Sequence, residues 1–251
     1  LHLLGKGKEA DNWFRQADEL QIMIEGIRLY GLRGVKYVDF LFLMKRTDEA
    51  FELAKQNLEI CQRYNAVNDS SRSYRCLGVN DSSRGYRCLS AIERIRGNHK
   101  DAEIHLQNAL EIARKVGRPD LEIEVLLESG RLQLDIERHE DAVRDAKEVL
   151  KICDRTGFKL FEPEAEIVLG TAYLALNDIE QAKTVAHSAY EKAVGMNYRW
   201  QEGDAAHLLG EICLAAGDKV YAREWLEKAV ACRKEILNPE VKESEKILKS
   251  L

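Results

Sequence analysis

Leu169-Gly170-Thr171-Ala172-Tyr173-Leu174-Ala175-Leu176-Asn177-Asp178-Ile179-Glu180-Gln181-Ala182 is the stretch whose reading decides the fold. A helix-forming, largely apolar run meets Asn177-Asp178, and a second period opens beyond it. After Ala182 the apolar residues Val185, Ala186, Ala189, Tyr190 and Ala193 fall at the i, i+3, i+4, i+7 spacing of one helical face. Asn and Gly readily take the left-handed conformation that closes a helix. Forty residues further on, Leu209-Gly210 is followed by Gly217-Asp218 and Ala222 in the same order.

Moving outward, the alanine recurs at Ala10, Ala50, Ala102, Ala142, Ala182 and Ala222, at intervals of 40, 52, 40, 40 and 40. Five residues before each stands Gly5, Lys45, Gly97, Glu137, Asn177 or Gly217. A second break falls about fifteen residues after the alanine, at Asn65, Gly117, Gly157 and Asn197. Two breaks per period predict two helices per period. The small residues let the paired helices cross closely. Pro119 and Pro239 lie 120 residues apart, and each is expected to open a helix, where proline is tolerated.

The 52-residue interval contains a duplication. Residues 67–78, VNDSSRSYRCLG, are followed by residues 79–90, VNDSSRGYRCLS, identical at ten of twelve positions. Twelve helical residues turn through about 1200°, so one copy cannot extend a helix and keep the same buried face; the mismatch is roughly 120°. The second copy runs unbroken into Ala91-Ile92 and is expected to be the packed one. The first is expected as a loop or an irregular helical extension.

With Leu169-Gly170 and Leu209-Gly210 twelve residues ahead of the recurrent alanine, Gly130 and Ser90 in the glycine slot, Gly–Asp turns and paired alanines, the chain resembles the tetratricopeptide repeat family. The 40-residue period exceeds that family's usual 34, and the proline ending its second helix is missing. Longer repeats of this kind resemble those of maltose-regulator-type activators. The resemblance implies an all-α, right-handed superhelical solenoid of antiparallel helix-turn-helix repeats. Its divisions are a partial repeat over 1–26, repeats over about 27–66, 79–118, 119–158, 159–198 and 199–238, the insert 67–78, and a capping helix over 239–251. Leu3-Leu4-Gly5 reads as the tail of a first helix, and a start at Leu1 rather than Met suggests a piece of something longer.

Composition narrows the function. A net charge of −5 argues against a general nucleic-acid binder. No apolar run approaches a membrane span, and no signal-peptide pattern opens the chain. The six cysteines form no CxxC pair, so neither a metal site nor a cofactor is expected; reduced, scattered thiols suggest a cytoplasmic setting. There is no HExxH, no phosphate loop and no GxSxG, so no enzymatic activity is expected.

The expected function is a scaffold that binds another protein's peptide or helix in a concave groove. The alternative is a C-terminal sensor module of a larger signalling ATPase or transcription regulator. Carrying the family's groove positions over to the first helices gives Arg84, Arg87, Arg94, Leu127, Arg131, Leu134, Ile167, Leu174 and His207 as partner-binding candidates. Arg63 to Arg96 holds seven arginines against three acids, and Arg forks suit carboxylates, so an acidic peptide segment is the expected ligand there. Trp13 and Trp225 share one register and are expected to pack on a neighbouring helix.

Overall fold

The computed structural model describes residues 6–67 and 72–251. Within them lie the helices α1 (Gly7–Glu25), α2 (Gly31–Leu43), α3 (Thr47–Val67), α4 (Arg72–Ile95), α5 (His99–Val116) and α6 (Pro119–Asp135). They continue as α7 (His139–Thr156), α8 (Glu162–Ala175), α9 (Ile179–Gly195), α10 (Arg199–Ala215), α11 (Lys219–Glu235) and α12 (Val241–Lys249), with a short 3-10 turn at Lys159–Phe161. No strand occurs among the described residues. The chain is an all-α array of helix-turn-helix repeats. It divides into two compact units, Ala10–Leu132 and one that contains Gln133–Leu251. In the first, α2 packs on α3 and α4, and α4 on α3 and α5. In the second, α8 packs on α7 and α9, α10 on α9 and α11, α8 on α10, and α11 on α12.

The turns follow the register read from the sequence. Lys45, Gly97, Glu137, Asn177 and Gly217 all have φ between 58° and 80°, although Lys45 and Glu137 carry side chains that resist that conformation. The hydrogen bonds explain the tolerance. Asp178 N donates to Tyr173 O at 2.9 Å, and Asp218 N to Cys213 O at 2.8 Å. Arg46 N to Leu41 O and Arg138 N to Gln133 O repeat the bond at 2.9 and 2.8 Å. This six-to-one bond satisfies a carbonyl that the helix end would otherwise orphan. Asp178 and Asp218 then cap the following helices, accepting from Gln181 N and Tyr221 N, each at 3.2 Å. The second break is left-handed at Gly117, Gly157, Asn197 and Leu237. Asn65 is the exception: α3 runs through it to Val67, because the duplicated residues follow there and no turn need form at that point.

The recurrent alanines are buried, Ala50, Ala102, Ala142, Ala182 and Ala222 completely. Their neighbours in the glycine slot show why. A Cβ on Gly210 would stand 2.7 Å from Leu226 Cγ, and one on Gly170 2.9 Å from Leu208 Cδ2. Ser90 occupies the slot by donating its hydroxyl to Ala102 O at 3.0 Å, and Ser83 donates to Ala109 O at 2.9 Å. Asn57 stands where other repeats have alanine or valine; it is buried and holds Gly31 N at 2.8 Å and Gly31 O at 3.3 Å.

The second copy of the duplication therefore supplies the packed face of α4, with Ser82, Ser83, Arg84, Cys88, Leu89 and Ser90 buried. Of the first copy, residues 68–71 and their expected loop lie outside the described residues, and 72–78 form the opening turns of α4. Leu3-Leu4-Gly5 also lies outside the described residues. Pro119 opens α6, whereas Pro239 sits in the turn before α12. Trp225 packs edge-on against His187 and Tyr190, with centroids 5.4 and 5.0 Å apart, but Trp13 is exposed.

Candidate functional site

The first helices α2, α4 and α6 of the Ala10–Leu132 unit carry charge in a ladder. Arg84, at the second turn of the duplicated segment's packed copy, reaches Asp120 at 2.9 Å and Glu124 at 3.1 Å. Arg87 reaches Asp39 at 2.6 Å, with Glu124 3.8 Å away. Arg94 reaches Glu128 at 2.7 Å, and Arg131 approaches the same carboxylate at 3.4 Å. The side chains of Arg84, Arg87 and Arg94 are 9%, 13% and 12% exposed.

This corrects the picture of an open basic face. Helical spacing brought the three arginines to one side of α4, as read, but the acids of α2 and α6 answer them. The sequence signal was present: Asp120, Glu124 and Glu128 repeat at intervals of four, the same spacing that gives a helix one face. Burial would push the Asp39 carboxyl up, but the Arg87 and Lys36 charges outweigh it and hold the group below its usual value. Burial likewise opposes the Arg87 charge, and Asp39, Cys88 and Glu124 more than restore it. Burial pushes the neighbouring Cys88 thiol up to about 12, so it stays protonated and unreactive. Leu127 is buried and belongs to the core rather than to a groove wall.

The unit containing Gln133–Leu251 presents a different surface. Leu134 at the end of α6 and Ile167 and Leu174 on α8 are partly buried apolar residues set against the core of Ala146, Val168, Leu169, Tyr173 and Ile212. Ile167 and Leu174 are seven residues apart, two turns along one face, with Thr171 between them. The Thr171 hydroxyl donates to Ile167 O at 2.9 Å, so it turns its polar end back into the helix. Charges beside them are satisfied locally: Lys192 bridges Glu162 at 2.8 Å and Glu166 at 2.6 Å.

His207 is engaged by α12. The Ser244 hydroxyl lies 3.0 Å from His207 Nδ1, and Arg233 donates to that same oxygen at 2.8 Å and to Asp204 at 2.7 Å. Since Ser244 Oγ accepts from Arg233, its proton is directed to Nδ1 of a neutral imidazole. Burial, then the Arg233 charge, lowers His207 to about 4. Glu211 lies 3.6 Å from Nε2, and burial raises its carboxyl. The chain serine–histidine–carboxylate has the connectivity of a nucleophilic relay. Yet Ser244 is fully buried and its oxygen is tied to Arg233, so no substrate reaches it. It fastens the final helix. Sequence reading missed this latch, because a serine in a lysine-rich helix carries no signal of its own.

Among the described residues no group of three metal-ligating side chains assembles, and no helix is long and apolar enough to cross a membrane.

Comparison with known proteins places this architecture. No curated protein sequence matches the chain. The family model described as "Tetratricopeptide repeat" matches residues 81–155, from the packed copy of the duplication through α7. Among solved structures, BtubC (BKLC) from P. vanneervenii superposes with a TM-score of 0.61 at 16% identity, covering 81% of this chain and 85% of that one. A signal-transduction ATPase with numerous domains and a tetratricopeptide repeat sensor, from Pyrococcus horikoshii, gives 0.64 at 17% identity. The match covers 92% of this chain but a third (33%) of the ATPase. A Rap protein complexed with competence and sporulation factor gives 0.61 at 14% identity, covering 86% and 68%. These likenesses are of fold. The tetratricopeptide repeat sequence is matched over residues 81–155, and the same paired-helix architecture continues on either side of it.

Proposed function

We propose that this protein is a non-catalytic interaction scaffold, and that its partner lies along the first helices of the Gln133–Leu251 unit. The observation that carries the reading is the pair Ile167 and Leu174, with Leu134, left partly uncovered beside Leu132, Ala165, Val168 and Leu169, which are buried. A row of aliphatic side chains two turns long suits an apolar stretch of peptide or one face of a helix. Support for a ligand-binding role comes from the Rap protein of similar fold, which was solved in complex with competence and sporulation factor. The arginines of α4 support an acidic ligand less well. An acidic segment there would have to displace Asp39, Asp120, Glu124 and Glu128 from guanidinium groups they already hold. His207 holds the register position of Ile167 one repeat later, but α12 occupies it. The buried free thiols fit a reducing, cytoplasmic setting.

The test is retention of protein from lysate on the immobilised wild type and on an Ile167→Asp, Leu174→Asp double variant, with helicity checked by circular dichroism. Loss of the same bands from a folded variant is expected. Identical bands on both would overturn the placement. A second reading, a sensor module within a larger signalling ATPase, draws on the similarity to the sensor-bearing ATPase from Pyrococcus horikoshii. It requires a nucleotide-binding domain in the same polypeptide, which the full-length coding sequence decides.

A further inference from the structure

The second helices carry a feature that the scaffold reading does not use. Between α9 and α11, above the α10–α11 turn, lies a pocket of about 510 Å³. Its floor is Ile212, Cys213 and Ala216; its walls are Ile179, Lys183 and His187 on one side and Tyr221, Trp225 and Lys228 on the other. The repeat register explains why space opens here. Forty residues earlier, Tyr173 and Leu176 stand where Cys213 and Ala216 stand. Tyr173 is buried, with Lys147 Nζ 5.6 Å from its ring, so in that repeat an aromatic ring fills the corresponding site. In the next repeat the ring is gone and Val185 is replaced by Trp225, which lines the space instead of closing it.

The walls are chemically specific. Trp225 is fixed edge-on between His187 and Tyr190, and Lys228 Nζ lies 4.0 Å from its ring centroid. Among the described residues neither Lys183 nor Lys228 has a carboxylate partner within ion-pair distance. α9 and α11 run in the same direction, and charge is graded along them. Glu180 is at the first turn, Lys183 and Glu224 at the second, and His187 and Lys228 at the third. Burial, with the Lys183 and Lys228 charges acting against Glu191, holds the His187 imidazole below its usual value. It is therefore neutral near pH 7, and the pocket's charges are the two ammonium groups and, along the same walls, the carboxylates of Glu180, Asp218 and Glu224.

We propose that this pocket is a binding site for a small aromatic carboxylate, its ring against Trp225 and Ile212 and its carboxylate between Lys183 and Lys228. The volume lies within the roughly 300–1,000 Å³ of small-molecule sites, which are mostly apolar with a few placed polar groups. The missing Tyr173-type ring defines the shape of the apolar part. The unpaired lysines define the charge. The site has walls from the second helices and a floor from the end of α10, and it uses none of Leu134, Ile167 and Leu174.

The experiment titrates the full chain with 3-phenylpropionate by calorimetry and follows the His187 ring protons by NMR. The amide 3-phenylpropionamide serves as the uncharged control. The carboxylate is expected to bind about three- to fivefold more tightly than the amide, the difference that exposed charges supply. Cys213→Tyr restores the ring of the preceding repeat and is expected to abolish binding while the protein stays folded. Trp225→Val, the residue of the preceding repeat at that position, is expected to do the same should Cys213→Tyr fail to fold. Lys183→Gln with Lys228→Gln is expected to erase the preference for the carboxylate. Ile167→Asp, on the partner surface, is expected to leave binding unchanged. Absence of binding at millimolar probe, equal binding of acid and amide, or undiminished binding by the folded refilled variants would each overturn the proposal.

Discussion

At Gly210 an added methyl group would meet Leu226 Cγ at 2.7 Å, and Ala182 is wholly buried. Both positions hold a helix against its neighbour with no spare volume. Ala182→Leu is expected to cost about 1–3 kcal/mol through overpacking, read as a shift in urea midpoint without a change in slope; an unshifted midpoint would mean the crossing is looser than the contacts indicate. The arginines act differently. Arg87 shares Asp39 and Glu124 in a half-dry setting, so truncating it leaves Asp39 with Lys36 alone, 3.4 Å away, while Glu124 keeps Arg84. Arg87→Ala should lose on the order of 3 kcal/mol, and the Arg87→Met, Asp39→Leu pair should recover most of it. Chemical denaturation of the three proteins settles this, since a surface arginine would give no measurable loss. Composition could suggest an open arginine face, because a count along the chain includes the charges of one helix and not those of the helices packed beside it.

At the scale of elements, α4 and α12 depart from the regular hairpin. α4 has 24 residues because the duplicated segment lengthens it, while α3 runs through Asn65. Deleting Val67 to Gly78 restores the 40-residue interval and returns Asn65 to a turn position that asparagine accepts. The deleted chain is expected to keep its helicity and melt no lower than the parent; a fall of many degrees would show that the extra turns are structural. α12 is held by Ser244 between His207 and Arg233. The folded imidazole titrates near 4, below the usual value of about 6.5. As pH falls from about 6.5 towards 4, the unfolded or released state takes up the proton first, so stability present above that window is lost within it. The upper bound is on the order of 3 kcal/mol. Glu211, raised by burial, works in the opposite sense, and His105 and His187, both lowered, work in the same one. The assignment therefore rests on comparison. His207→Gln should flatten the melting-temperature profile between pH 4 and 6.5 relative to wild type, and parallel profiles would remove the latch from the explanation.

Across the whole molecule, local signals and tertiary ones separate cleanly. The two helices per period, the left-handed turns and the buried alanines were legible because each depends on a few neighbouring residues repeated several times. Glu137 and Lys45 show the strength of that register: neither residue type announces a left-handed turn, yet both take it where the period requires one. The candidate site was legible only in part. Ile167 and Leu174 remain partly uncovered, whereas Leu127, at the matching position one repeat earlier, is buried, and spacing alone could not tell them apart. His207 depended on a contact 37 residues away, and the pocket at Trp225 on the absence of a ring that only its neighbouring repeat reveals. These differences bear on binding. With Arg84, Arg87 and Arg94 neutralised inside the fold, the attraction of the proposed partner surface is mainly apolar. Raising salt from about 0.1 M to about 0.5 M cuts the screening length from ~10 Å to less than half that. An acidic segment held by arginines would be released over this range. A partner held by Ile167 and Leu174 should be retained, since apolar burial is not screened. Retention on the immobilised chain is therefore expected to be flat across the salt series and to drop in Ile167→Asp, Leu174→Asp at every salt concentration. A steep decline for wild type, with the double variant unchanged at low salt, would instead return the binding to charged residues.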